Sequence, residues 1–594
     1  VEYKPIKYLT LRVTGGLTKS TVRREIFNNS NTRAGNPKSS VEGINGSVSN
    51  EETTNLLNEN TLTYARVFNK KHNLNVLGGV TLQEVSFYRY GFTASQVPNE
   101  SLGMSGLDEG IINTAPTVKS GSKLMSFLGR VNYGYDSKYL LTFSFRSDGS
   151  SKFADGNRWA YFPSGAVAWR LVEEPFMKGI TWLSDAKVRA GYGLTGNNRV
   201  DDFAYLSALQ QYPHSGYVYG NNVTPGVIPA NLGNEKLKWE TTAQTDIGID
   251  LGFFKNRIEV TADYYKKNTK DLLLFATLAP STGYLSGYRN VGRVSNEGFE
   301  FTLNTVNIQT KKFTWSSNFN ISFNRNEVLQ LNEGEPSYLS RITWGNFNNA
   351  YPHIARPGNP IAMFYGHLFD GIYQYSDFDK QPNGSYILKE HIPNNGSPRT
   401  NIKPGDVKYR DINQDGQVDN TDLTIIGNPN PIHTGGFSNN FTYGNFDLNV
   451  FFQWSYGNDL LNANRIVFEY GEARSYLNMF KSYEKRWTPD NPSNELHRVG
   501  GQGPLVYSSR VIEDGSYLRL KTVSLGYNVP ARILKRAHIQ SLRAYAAAQN
   551  LVTWTNYKGL DPEVSVRPSA LTPGFDWSAY PKARTITFGL DLTF

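Results

Sequence analysis

Apolar and polar residues alternate over long stretches of the chain. In F-T-W-S-S-N-F-N-I-S-F-N, Phe313, Trp315, Ser317, Phe319, Ile321 and Phe323 share one parity. Thr314, Ser316, Asn318, Asn320, Ser322 and Asn324 share the other. A period of two places the two sets on opposite faces of a β-strand. Residues 123–135 set Met125, Phe127, Val131 and Tyr133 against Ser126, Arg130 and Asn132. After a D-S-K turn, Tyr139, Leu141, Phe143 and Phe145 oppose Thr142, Ser144 and Arg146. Segments 241–253 and 257–267 pair around F-K-N, and 437–443 and 446–456 around G-N. The final stretch alternates Ile586, Phe588, Leu590, Leu592 and Phe594 with small or polar residues.

The pattern yields about sixteen strands of roughly 9–11 residues. Their connections alternate in length. The short ones are 136–138, 254–256, 308–312 and 444–445; the long ones are 17–60, 85–122, 195–240, 268–297, 324–432, 457–516 and 550–583. A β-sandwich has no reason to gather every long loop at one end. A transmembrane antiparallel β-barrel does, with tight periplasmic turns and long outer loops. The predicted fold class is therefore all-β, a membrane barrel spanning residues 1–594. If the last strand descends to the periplasm, the first ascends, and the 324–432 loop is extracellular. One strand breaks the rule: in 517–528, Arg519 and Lys521 share a parity with Val523, Leu525 and Tyr527. That calls for a bulge, or for a strand extending above the membrane, where charge is tolerated.

Composition agrees. Of 594 residues only 39% are hydrophobic, yet aromatics reach 13%, with 36 Tyr and 33 Phe. No apolar run is long enough for a transmembrane helix, and a barrel needs none, because only alternate residues face lipid. The net charge of +9 comes from scattered Lys and Arg, which points to a solvated surface and away from nucleic acid. The absence of Cys excludes disulfides, thiolate metal sites and a Cys nucleophile. The first residues, V-E-Y-K-P-I-K-Y-L-T-L-R-V, run straight into a strand pattern. The expectation is a mature product or part of a longer protein.

Few motifs carry chemistry. Gly191-Tyr192-Gly193-Leu194-Thr195-Gly196 matches G-x-G-x-x-G, but N-N-R-V-D-D follows where a dinucleotide fold needs a helix. H-E-x-x-H and G-x-S-x-G do not occur, so no enzyme activity is predicted. The 8 His form no metal-spaced cluster and read as ordinary surface or lumen residues. D-I-N-Q-D-G-Q-V-D-N-T-D, residues 411–422, has EF-hand spacing. Asp411, Asn413 and Asp415 would offer side-chain oxygens, Gln417 its carbonyl, and Asp419 a direct or water-mediated ligand. Asp422 stands where Glu is usual, so bidentate ligation is harder. The expected cofactor is a structural Ca2+ or Mg2+; the alternative is an Asx-rich turn bonding its own backbone. Trp344, Tyr351 and Tyr373 in the outer loops offer either sugar-stacking faces or simple loop packing.

Several stretches together resemble the SusC/RagA-like TonB-dependent outer-membrane transporters. They are R-S-D-G-S-S-K-F from Arg146 and N-R-W-A-Y-F-P-S to Ser164, L-G-N-E-K-L-K-W-E-T-T from Leu232 and N-E-G-F-E from Asn296. F-D-G-I-Y-Q from Phe369, G-D-V-K-Y-R-D-I-N-Q-D-G from Gly405, G-N-P-N-P from Gly427, D-G-S-Y-L-R-L-K from Asp514 and A-Q-N-L from Ala548 follow in order. The resemblance implies a barrel of ~22 strands with an N-terminal plug. It further implies energy from a TonB complex, a SusD-like lipoprotein lid, and import of oligosaccharides or peptides. No TonB box, plug or first strands are found, so the chain is expected to be the C-terminal barrel portion, its plug portion among its partners. The competing reading is a secreted, calcium-dependent carbohydrate-binding or hydrolytic β-protein, which leaves the one-sided loops unexplained.

Overall fold

The computed structural model describes residues 1–220, 222–278, 280–284, 286–332, 334–344, 347–471, 477–535, 538–567 and 569–594. Among the described residues, eighteen strands lie in antiparallel ladders. Setting aside the short strands Glu2–Ile6 and Ile111–Thr114 leaves sixteen long ones, the number read from alternation. By packing, the chain divides into two compact units: Val1–Glu174 with Arg189–Thr245 and Thr269–Val291, and Pro175–Val188 with Asp246–Asn268 and Gly292–Phe594.

In the first unit, strands β1 (Glu2–Ile6), β2 (Leu9–Asn28), β3 (Asn45–Phe68), β4 (His72–Ser95), β5 (Thr117–Tyr135), β6 (Tyr139–Ser150) and β7 (Trp159–Arg170) make an antiparallel meander. Its tight turns use left-handed residues: Asn69 and Lys70, then Asp136 and Ser137. That geometry matches the twist of hairpin strands. At the tight-turn end, Tyr135, Tyr139 and Trp169 stack in series, each pair 6.4 Å between ring centroids. Farther along the same face, Phe127 stacks on Trp159 and Phe145 on Tyr161.

The second unit holds a meander of β8 (Arg293–Gln309), β9 (Phe313–Gln330), β10 (His433–Tyr443), β11 (Phe446–Tyr456), β12 (Tyr517–Asn528), β13 (Ser541–Thr555) and β14 (Thr585–Thr593). The register keeps the two parities on separate faces. One cross-strand row reads Leu303, Phe319, Phe437, Phe452, Leu520, Val552, and the row beside it on the other face reads Asn304, Asn318, Ser438, Phe451, Thr522, Gln549. The apolar face stays uncovered: Phe588 is 80% exposed. The register shifts at Lys521 against both neighbours. This bulge settles the exception seen in the sequence, because it returns Arg519 to the polar face while Leu518 and Leu520 stay on the apolar one.

Buried side chains concentrate in the loops. Ile342, Trp344, Phe364, Leu461, Ile466 and Phe575 belong to one such core in the second unit. In the first unit Phe153, Phe162, Leu237 and Trp239 belong to another. Several loops predicted as long are shorter. Most of 17–60 is strand, because β2 runs to Asn28 and β3 starts at Asn45. Others contain their own small sheets, as in Tyr338–Trp344 paired with Phe347–Ala355.

Candidate functional site

The 411–422 loop closes on itself. Asp411 accepts backbone N–H bonds from Gln414 and Gly416, both at 2.7 Å. Asp422, fully buried, accepts from Ile412 at 2.7 Å, Asn413 at 3.4 Å and Asp419 at 2.9 Å. The Asn413 amide donates to Asp415 at 2.9 Å, and Asp415 accepts from the Gln417 N–H at 2.8 Å. Asp419 takes the N–H and then the hydroxyl of Thr421, which hold its carboxyl below the usual range. Gly416 has φ +82°, a left-handed conformation that glycine adopts without strain. Val418 is buried and anchors the loop. All six candidate ligands therefore sit in one hydrogen-bonded ring of the Asx type, with both oxygens of Asp411 and of Asp422 spent on backbone donors. Among the described residues, no three His, Cys, Asp or Glu converge to hold a metal ion.

A trough of about 760 Å3 lies in the second unit. The polar parity of the wall contributes Asn320, Thr434, Phe451 and Gln453, and the 556–584 loop contributes Glu563 and Lys582. Gly436 keeps the floor open: a Cβ there would stand 2.9 Å from the Phe451 ring. The loop is held by Arg519, only 1% exposed, which donates to Asp561 at 2.6 Å, Glu563 at 3.0 Å and Thr553 at 2.9 Å. Lys582 and Lys521 also reach Glu563, at 2.6 and 3.3 Å. Burial works to raise the Glu563 carboxyl, but Lys582 and Lys521 outweigh it and the net shift is downward. An acid ionised and shared among three cations is not poised for general acid–base work. The trough instead offers amides, hydroxyls and aromatic rings, groups that bind polar solutes by hydrogen bonds and stacking.

The sequence did not announce Arg519's partners, which lie 42 and 44 residues on. It also misread three histidines. His353, His367 and His497 are buried in loops and are not surface or lumen residues. Of the loop aromatics, Trp344 and Tyr373 are buried, Trp344 donating to Tyr507 at 2.8 Å and Tyr373 to the Pro393 carbonyl at 2.6 Å. Loop packing is their role; Tyr351 remains exposed. The G-x-G-x-x-G stretch lies within strand Leu183–Asn197, and no helix follows it directly.

The family model "TonB dependent receptor-like, beta-barrel" matches residues 7–551. The chain belongs to the TonB-dependent receptor β-barrel family. It is 36% identical to TonB-dependent receptor P3 of Formosa agariphila, over 96% of this chain and 56% of that protein. It is 32% identical to TonB-dependent receptor SusC of Bacteroides thetaiotaomicron, over 79% of this chain and 44% of that protein. The structure of the RagAB peptide transporter superposes with a TM-score of 0.81 at 25% identity, covering all of this chain and 61% of that one. The chain thus spans about half the length of the curated relatives it matches. Membership places these strands in the outer membrane, so the uncovered apolar parity faces lipid and the polar parity faces the lumen. It also sets aside the secreted carbohydrate-binding or hydrolytic reading; these relatives are named as receptors and a transporter.

Proposed function

We propose that the protein serves TonB-dependent import of oligosaccharides or peptides across the outer membrane, together with a SusD-like surface lipoprotein. The observation that carries this reading is the luminal trough: a polar wall lined by Asn320, Thr434 and Gln453, under a loop bolted down by a buried arginine. Hydrogen-bonding side chains with an aromatic face suit solutes rich in hydroxyls or amides. The relatives named SusC and RagAB peptide transporter support the same assignment. Uptake of labelled oligosaccharides and labelled peptides by cells carrying the full-length protein tests it. Import should stop when TonB is removed and should fall when the lipoprotein is deleted. Uptake indifferent to TonB would make the protein a passive pore.

For the 411–422 loop we propose a structural role as a fastener of an extracellular loop, with calcium or magnesium as its candidate cation. The spacing of oxygen-bearing residues and the Gly416 turn support the site; the backbone bonds already held by Asp411 and Asp422 are what a cation must share.

A further inference from the structure

A second trough, of about 850 Å3, lies on the outer face of the first unit. Its size is within the ~300–1,000 Å3 of built ligand sites. Its lining includes Gly15 and Leu17 on β2, Leu56 on β3, Leu82 on β4, Met125 on β5 and Trp159 on β7. The register sets Gly15, Asn58, Leu82, Met125, Gly149 and Trp159 in one cross-strand row on the lipid-facing parity. Two glycines in a row of larger side chains leave the hollow. The Trp159 ring lies across Gly149, where a Cβ would meet the indole at 2.8 Å, and stacks on Phe127 at 5.9 Å. Asn58 does not spoil the apolar floor. Its amide donates to the Thr14 carbonyl at 3.4 Å and its carbonyl accepts from Asn60 at 2.6 Å.

The height of the trough is set by the strand. Twelve steps separate Tyr135, at the tight-turn girdle, from Lys123. A rise of ~3.4 Å per residue and a tilt of ~40° carry them about 30 Å up, across the hydrocarbon. The trough therefore opens into lipid just below the outer headgroups. Lys123 pairs with Glu84 across the row above, at 3.3 Å, and both are well exposed, so this bridge holds Lys123 only weakly. Lys119 lies four residues farther up the same face and is exposed, with no ion pair among the described residues. Cations over an apolar hollow at this depth complement a lipid with phosphate above its acyl chains.

We propose that this trough seats one phosphorylated, multiply acylated saccharolipid of the outer leaflet. Its acyl chains lie over Gly15, Leu17, Leu56, Leu82 and Met125 against the Trp159 edge, and a headgroup phosphate bridges Lys119 and Lys123. The inference rests on outer-membrane placement and not on the imported substrate.

The test uses full-length protein, delipidated in mild detergent and titrated with purified lipid A, with phosphatidylethanolamine and with a triacylated lipopeptide, read by native mass spectrometry. One lipid A should bind, with about tenfold preference over either alternative. Gly15→Leu should fill the hollow and lower lipid A binding about tenfold; a Cβ at Gly15 meets nothing within 4 Å, and heat-modifiable gel mobility reports that the barrel is intact. Lys119→Gln with Lys123→Gln should erase the preference while leaving residual acyl binding. Equal binding of lipid A by wild type and folded Gly15→Leu overturns the site. Equal binding of the other two lipids, or no loss of preference in the double glutamine variant, overturns the assigned ligand.

Discussion

Arg519 shows how much a single luminal side chain can decide. It is buried against two carboxylates, and the same guanidinium bonds the neighbouring strand through Thr553. Arg519→Met should leave Asp561 without its arginine partner and Glu563 with Lys582 and Lys521 alone, and cost the 556–584 loop about 3–5 kcal/mol. Limited proteolysis should then cut within that loop while the strands survive. Arg519→Lys keeps the charge but loses the fork, and should fall between. The buried histidines set a pH limit on the loops that hold them. Burial depresses His353 to about 4, with only the Pro573 carbonyl bond opposing it. Burial and then the Arg510 charge depress His497 to about 3. With folded values below the ordinary 6.5, the opened loops bind more protons than the closed ones, so the stabilisation is complete above pH 6.5 and lost below it. At pH 5 the loss is about 2 kcal/mol per histidine. Hydrogen exchange around residues 347–355 and 496–498 should quicken between pH 7.5 and 5, and His353→Gln should flatten the change at the first segment. These features could not be read from spacing, because their partners lie on distant segments brought together only by loop packing.

Elements were legible wherever one face meets lipid and the other water. The Phe313–Gln330 strand announced itself because, from Phe313 to Phe323, every second residue but Ser317 is large and apolar. The outer parts of β2 and β3 did not: from Thr18 to Asn28 and from Asn45 to Asn55 both parities are largely polar, since above the membrane both faces are wet, and the stretch reads as loop. The bulge was legible as an anomaly but not as a solution. Its prediction is specific. Deleting Lys521 should leave Leu518, Leu520 and Val523 in strict alternation with Arg519 and Thr522, so Arg519 stays on the polar face without a bulge and the barrel should keep its heat-modifiable band. The 411–422 loop was legible as a motif, and its hydrogen bonds are those of the Asx alternative. Asp422→Ala removes the acceptor of three backbone N–H groups; each left unpaired costs about 1–3 kcal/mol, so the amides of Ile412, Asn413 and Asp419 should lose exchange protection. If a cation is part of the fastener, chelation should speed exchange at the same amides in the wild-type protein. Unchanged exchange on chelation would leave the loop a fastener without a metal.

For the whole molecule, the decisive quantity is which face of the sheet is outside. Periodicity alone allows a soluble core on the apolar face as readily as lipid, and only loop asymmetry and family membership separate the two. Neighbouring positions on β9 turn this into a measurement. Phe319 belongs to the apolar parity, close to Phe301, Phe437 and Trp454; Asn318 belongs to the luminal row, bonded to Asn304 at 2.5 Å. Phe319 is six residues from the tight-turn end of its strand, about 16 Å up at the rise and tilt of a barrel strand, near the bilayer midplane. Phe319→Arg should therefore cost about 2–4 kcal/mol, the depth-dependent charge of placing a guanidinium in hydrocarbon, while Asn318→Arg, one residue away and facing water, should cost little. Reversible urea unfolding of the full-length protein in phospholipid vesicles reads the difference directly. In detergent micelles, whose apolar layer is thinner and more easily deformed, the gap should narrow. A water-filled lumen on the Asn318 side is the condition for any solute to pass along this wall, so a larger penalty for Asn318→Arg than for Phe319→Arg would invert the sheet and remove the basis for import.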